Sequence, residues 1–90
     1  KMKLRNDLQL RKLGNDFIII DPGQDMIDMS KVFTLNETAA FLWEELQGKE
    51  FTEETVSQIL LENYDVQEEI ALNDAKKLIQ TFVKGGLIRD

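Results

Sequence analysis

The side chains in this chain of 90 residues that could take part in chemistry are carboxylates, lysines and hydroxyls, because it contains neither histidine nor cysteine. Without histidine, the commonest general base and the commonest transition-metal ligand are missing. Without cysteine, a thiol nucleophile and a thiolate metal site are excluded. Ser30 beside Lys31 comes nearest to a nucleophile–base pair, but neighbours in a strand point to opposite faces. We therefore expect no catalytic residue, no metal site and no cofactor.

Acidic residues occur in adjacent pairs at positions 44–45, 53–54 and 68–69, and Asp21, Asp25 and Asp28 form a looser cluster. A general acid needs a raised pKa, which requires burial or a like-charge neighbour in a cleft. The pairs fall on predicted helix surfaces, where water solvates both charges. The cluster lacks the spacing of a calcium-binding EF-hand loop. Solvated helix faces and a polar hairpin loop are the expected structures.

The overall charge limits the classes of partner. With 17 acidic and 11 basic residues the net charge is −6, so the surface repels phosphate groups and we expect neither nucleic-acid nor membrane binding. No apolar run approaches the roughly 20 residues that a membrane-spanning helix needs. The first residues, KMKLRND, lack the apolar core of a signal peptide. Residues 1–90 are therefore expected to form a single cytoplasmic domain.

Three extended segments precede three helices in the predicted order of elements. Residues 8–13 alternate apolar and polar side chains, Gly14-Asn15 is a turn signal, and the apolar run DFIII follows, which together predict a hairpin. A third strand is predicted within residues 26–35, where Phe33 and Leu35 face one side of the sheet. A sheet of three strands has two edges, and at least one must be covered, blunted or used.

The third strand passes into a helix with no glycine or proline between them, and Asn36 is the predicted cap. Gly48 ends that helix, and Thr52 caps the second. The third helix is expected over about Glu68 to Lys84, before Gly85-Gly86. This order predicts an α+β fold in which three helices pack on a three-stranded antiparallel sheet.

The third helix has an unusually broad apolar arc. One stripe contains Ala71, Ala75, Leu78 and Phe82, and a second contains Leu72, Ile79 and Val83. Lys76 lies in line with the second stripe, and Gln80 borders it. Two interpretations are open: a wide core face with a lysine extending to solvent at its margin, or a groove in which Lys76 meets an acidic peptide.

The order and spacing of several short motifs resemble the PqqD-like family, the peptide chaperones known as RiPP recognition elements. The segment LNETAAFLWEEL at 35–46 is followed by Gly48, by TEETV at 52–56, by YDV at 64–66 and by GLI at 86–88. The resemblance covers residues 8–88, which is nearly the whole chain.

The resemblance implies a winged-helix-like fold and a role that is not enzymatic. Such proteins bind the leader segment of a ribosomally made precursor peptide and deliver it to a modifying enzyme, often a radical enzyme with iron–sulfur clusters. The leader adds as a strand to the third strand of the sheet, and its side chains enter a groove beside helix three. Carried over to this sequence, the peptide-binding residues are Ser30, Lys31, Val32, Phe33 and Thr34 at the edge, with Leu72, Lys76, Ile79, Gln80 and Val83 along the groove.

Two other functions fit the same elements. A general interaction domain could form a homodimer through the open sheet edge. A winged helix that binds nucleic acid has a similar element order, but the net charge of −6 disfavours it. The sequence specifies neither the precursor peptide nor its modification, and it does not link the chain to coenzyme PQQ synthesis.

Overall fold

The computed structural model describes residues 2–22 and 33–89, which form a three-stranded sheet followed by three helices and a short additional strand pair. The elements in chain order are β1 (Lys3–Leu4), β2 (Gln9–Leu13), β3 (Asp16–Ile20), β4 (Phe33–Leu35), α1 (Glu37–Glu45), α2 (Glu53–Asn63), α3 (Glu68–Lys84) and β5 (Ile88–Arg89). The predicted α+β architecture is confirmed. The β1–β5 pair was not predicted.

The sheet is antiparallel throughout, with the strand order β2-β3-β4. Strands β2 and β3 form the predicted hairpin, in which Leu13 and Asp16 flank the turn. Gly14 has a φ of 62°, which glycine adopts without steric cost. Because the φ of Asn15 is not positive, the turn is of the II′ kind, whose twist suits a hairpin.

One face of this sheet packs against the helices. Ile19 of β3 and Leu35 of β4 are each 4% exposed and belong to the hydrophobic core, whereas Thr34 on the other face is exposed. Within the core, the rings of Trp43 and Phe82 meet edge to face with centroids 5.9 Å apart, so Trp43 is a packing residue, as its position on the apolar stripe predicts. No helix in the described ranges has the length and apolar character needed to cross a membrane.

A single residue separates β4 from α1. Asn36 has extended backbone angles, and its Oδ1 accepts a 2.8 Å hydrogen bond from the backbone N–H of Ala39. This is an N-cap that satisfies one of the free donors of the first turn. Since Leu35 just before it is buried, the strand enters the helix with no flexible residue, and α1 holds the end of β4.

The N-terminal strand is tied to the turn that follows α3. The backbone N–H of Arg5 donates to Leu87 O at 2.9 Å, and Arg5 Nη1 donates to Gly86 O at 3.2 Å. Arg5 also pairs with Asp7 at 2.7 Å, and this hydrogen bond lowers the pKa of the Asp7 carboxyl. These contacts hold the C-terminal end of α3 in place.

The same end of α3 lies directly against β4. A Cβ atom on Gly85 would lie 2.6 Å from Cε2 and 2.9 Å from Cδ2 of the Phe33 ring. Gly85 has an ordinary φ of −78°, so the position requires glycine for space and not for backbone angle. The ring of Phe33 therefore rests on bare backbone, and this contact sets the distance between β4 and α3.

Replacing Gly85 with alanine tests this contact, because the contact should turn an ordinarily stabilising substitution into a destabilising one. Alanine in this backbone conformation would ordinarily stabilise a protein by about 0.4–1 kcal/mol. Against the Phe33 ring we expect Gly85→Ala to lower the free energy of unfolding by about 1–3 kcal/mol instead. In a Phe33→Ala background the same change should be neutral or stabilising. Urea unfolding of the four proteins measures both effects, and equal effects in the two backgrounds would contradict the contact.

Candidate functional site

The outer edge of β4 presents backbone groups that the sheet leaves unused. In the turn, the N–H of Asp16 bonds to the C=O of Leu13, so residues 16, 18 and 20 of β3 direct their hydrogen-bonding groups towards β2. Residues 17 and 19 then bond to their β4 partners at 35 and 33. Thr34, opposite Ile18, consequently directs both its N–H and its C=O away from β3.

This edge is available for pairing in the described part of the chain. Strand β4 is last in the order β2-β3-β4, so it has a strand neighbour on one side only among residues 2–22 and 33–89. The opposite edge strand, β2, carries the adjacent cations Arg11 and Lys12, and charged side chains discourage further strand pairing. The two edges of the sheet therefore differ, and β4 adjoins a cleft.

The cleft lies beside this edge, between β4, the beginning of α1 and α3, and has a volume of about 410 Å³. That is near the lower end for ligand sites, enough for a few side chains of an extended peptide. Its apolar lining consists of Leu35, Ala39, Leu42, Leu60 and Leu78. All of these except Leu78 are at most 6% exposed, so the cleft has an apolar floor.

The rim of the cleft is polar. It consists of Thr34, Asn36, Thr38, Asp74, Lys77 and Thr81. The Thr81 hydroxyl already donates to the carbonyl of Lys77 at 3.0 Å, and the Asn36 side-chain oxygen is engaged in the helix cap. These groups can hydrogen-bond a peptide or pair with its charges. They include no nucleophile with an adjacent base.

The predicted edge residues lie partly outside the described ranges. Ser30, Lys31 and Val32 fall between residues 22 and 33, where the structure describes nothing. Thr34 lines the cleft and has its backbone groups on the open edge. Phe33 instead turns its ring towards Gly85, so its side chain contributes by positioning β4.

The predicted groove residues of α3 are not among those that line this cleft, and their part in peptide binding stays a prediction. Ile79 is 7% exposed and belongs to the hydrophobic core. Leu72 and Lys76 border a separate hollow of about 420 Å³, Val83 is 58% exposed and Gln80 is exposed. Apart from Ile79, these residues occupy the flank of α3 that faces away from the cleft.

The difference between the predicted groove residues and the observed cleft lining has a physical reason. Helix α3 packs through a centre of small and large apolar residues, Ala71, Ala75 and Phe82, and both of its flanks adjoin that centre. The more apolar flank, with Leu72 and Val83, was predicted to line the groove. The other flank presents Asp74, Lys77, Leu78 and Thr81 to the cleft. That spacing is equally typical of a solvent-exposed helix face, so no strong signal identified it.

Comparison with known proteins identifies the family. Residues 16–88 match the family described as Coenzyme PQQ synthesis protein D (PqqD). The protein belongs to the PqqD family. This confirms the resemblance found in the sequence motifs. No curated protein sequence matches this PqqD-family chain.

Two solved structures resemble this PqqD-family protein over almost its whole length. One is described as lasso peptide synthetase B1 complexed with the leader peptide; it has a TM-score of 0.68 and 19% identity, covering 99% of this chain and 98% of its own. The other is described as TbiB1 in complex with the TbiA(beta) leader peptide; it has a TM-score of 0.66 and 16% identity, covering 97% of this chain and 94% of its own. At these identities the likeness establishes the shared fold.

Substitutions of Ile79 and Leu78, which are neighbours in α3, test which residue belongs to the core and which to the cleft wall. We expect Ile79→Asp to lower the free energy of unfolding by about 3–5 kcal/mol, because it removes a core side chain and buries a charge. Leu78→Asp, at the half-buried cleft wall, should cost less than about half as much. Chemical denaturation measures both changes. Equal losses would place Leu78 in the core and remove it from the cleft wall.

Proposed function

We propose that this PqqD-family protein binds the leader segment of a ribosomally made precursor peptide as an additional strand on β4. It then delivers the peptide to an enzyme that modifies it. The observation that carries the proposal is the outward-facing backbone of Thr34 immediately beside a cleft with an apolar floor. Family membership supports it, as does the shared fold with two proteins solved together with leader peptides.

The binding free energy must come from both the edge and the cleft. Thr34 offers one donor and one acceptor, and each backbone hydrogen bond contributes about 0.5–1.5 kcal/mol net. Association costs roughly 4–15 kcal/mol, and ordering a flexible leader adds to that cost. Backbone pairing alone therefore cannot hold the leader. Two or three buried leader side chains, at about 1.5–3 kcal/mol each, supply the missing affinity.

The cleft floor is suited to receive those side chains. Leu42 and Leu60 are 1% and 5% exposed, so a leader side chain that reaches them leaves water for apolar surroundings. The edge fixes the position and direction of the leader, while the cleft selects among leaders by the shape of these side chains. Ser30, Lys31 and Val32 remain predicted members of the same edge.

In this proposal the protein itself catalyses no reaction. The rim residues hold and orient the peptide, and the partner enzyme supplies the chemistry of modification. The sequence resemblance implies that this partner is often a radical enzyme with iron–sulfur clusters. This chain has no cysteine with which to ligate such a cluster itself. We place this role in the cytoplasm, where the ribosome makes precursor peptides.

A homodimer formed through the β4 edge is the competing use of the same surface. Each copy carries a net charge of −6, so two copies repel each other at low ionic strength. A short strand pairing with its own copy would also bring no extended segment with side chains for the cleft. Light scattering with and without a leader peptide distinguishes the two, because the proposal expects one protein chain per leader.

Thr34→Pro tests strand addition directly. Proline removes the outward N–H but leaves the bonds of residues 33 and 35 to β3, a position that edge strands tolerate. We expect the affinity for a synthetic leader segment to fall at least about tenfold, because a leader carbonyl loses its partner.

Thr34→Val is the matched control, since it keeps the backbone N–H and a similar side-chain shape. It should bind the same labelled leader within about threefold of the unmodified protein, a change of less than 1 kcal/mol. Fluorescence anisotropy measures both affinities, and thermal melting followed by circular dichroism verifies that each variant is folded. Equal affinities for the two variants would count against strand addition at β4.

A further inference from the structure

Two opposite charges stand side by side on the cleft rim. Asp74 and Lys77 both line the cleft, and both are exposed. Within residues 2–22 and 33–89 the ion pair observed is that of Arg5 with Asp7, and neither Asp74 nor Lys77 forms one there. As far as the described residues show, the cleft therefore presents an anion and a cation that form no ion pair within the protein.

We propose that Asp74 and Lys77 read the order of charges on the bound peptide. The preferred segment carries a basic and an acidic residue two positions apart, arranged so that the basic residue meets Asp74 and the acidic residue meets Lys77. This rests on the proposed function, since it assumes an extended peptide on β4. It adds the class of peptide that the site selects.

The spacing of the two residues along the helix is close to the repeat of side chains on one face of an extended strand. Residues three apart on a helix have Cβ atoms about 5–6 Å apart. Side chains on one face of a strand recur every second residue, at about 6.4–6.8 Å. A strand that lies along the cleft can thus place two successive inward side chains against Asp74 and Lys77 at once. In the preferred order, each of these two residues then meets a peptide residue of opposite charge.

The charge of the whole protein favours a peptide of balanced sign. A purely acidic segment would meet Lys77 but would be repelled by the net charge of −6. A purely basic segment would be attracted to the acidic surface in general, yet Lys77 repels a basic residue at its own position. Repulsion of wrong sequences is a common source of specificity, and here the two charges reject the inverted order.

The expected effect is modest for each contact and appreciable in sum. An exposed ion pair changes affinity by roughly 1.4- to 5-fold. Exchanging the two peptide charges replaces two attractions with two repulsions, so the preferred order should bind about tenfold more tightly than the inverted order. The ratio should shrink towards one at about 0.5 M salt, where exposed charges are screened.

The experiment starts from a displayed library of random peptides. The library is selected on the protein at low salt, and binders that the Thr34→Pro variant also retains are discarded, so the remaining peptides depend on the β4 edge. The tightest of these is synthesised with a fluorescent label, together with a twin in which the basic and acidic residues are exchanged. Fluorescence anisotropy then gives the ratio of the two dissociation constants for each protein variant.

Three variants of the protein give the decisive comparison. Asp74→Lys combined with Lys77→Asp keeps the net charge and should invert the ratio, so that the twin binds more tightly. Asp74→Asn combined with Lys77→Gln should bring the ratio to about one, because no ion pair remains. The matched control exchanges Lys49 and Glu50, which are exposed beyond the end of α1 and are not among the residues that line the cleft, and should leave the ratio as in the unmodified protein.

Each outcome bears on a separate proposal. If no edge-dependent peptide is selected, the proposed function is wrong and the charge order falls with it. If such peptides are selected but show no opposite charges two positions apart, or the ratio stays unchanged when Asp74 and Lys77 are exchanged, only the charge-order proposal is overturned. An inverted ratio for that exchange, with an unchanged ratio for the Lys49 and Glu50 exchange, supports it.

Discussion

The contact between Phe33 and Gly85 sets the geometry on which the site depends. The cleft exists because β4 and α3 stand at a fixed separation, and the ring of Phe33 seated on the bare backbone of Gly85 determines that separation at one end. At the other end, Asn36 joins β4 to α1 through a cap without an intervening flexible residue. Strand β4 is thereby held at both of its ends, although it is only three residues long.

In the proposed function, this rigidity lowers the cost of binding a peptide. A leader peptide that is flexible in solution loses conformational freedom when it binds, and a receptor that also had to become ordered would add to that cost. With β4 and the cleft floor fixed beforehand by core residues such as Leu35 and Leu42, the cost falls on the peptide alone. The core of the domain and its site are therefore built from the same side chains.

The sequence predicted the elements well because their ends carry local chemical signals. Asn36 and Thr52 are side chains that cap helices in the structure, and Gly85-Gly86 follows the observed end of α3. The pairing of β1 with β5 escaped prediction, because two-residue strands separated by most of the chain have no periodicity to detect. The residues of α3 that line the cleft were not predicted either. The helical pattern shows which residues are apolar, but the rotation of the helix about its axis depends on its contacts with the sheet and the other helices.

The alternation of hydrogen bonds across β3 and β4 has a consequence for solution spectroscopy. The amides of residues 33 and 35 are engaged with β3, whereas that of Thr34 points away from the sheet. In the free protein the Thr34 amide should exchange its hydrogen for deuterium much faster than the two amides beside it. A single backbone position thus reports occupancy of the edge, because slowed exchange at Thr34 alone marks the arrival of a carbonyl from another chain.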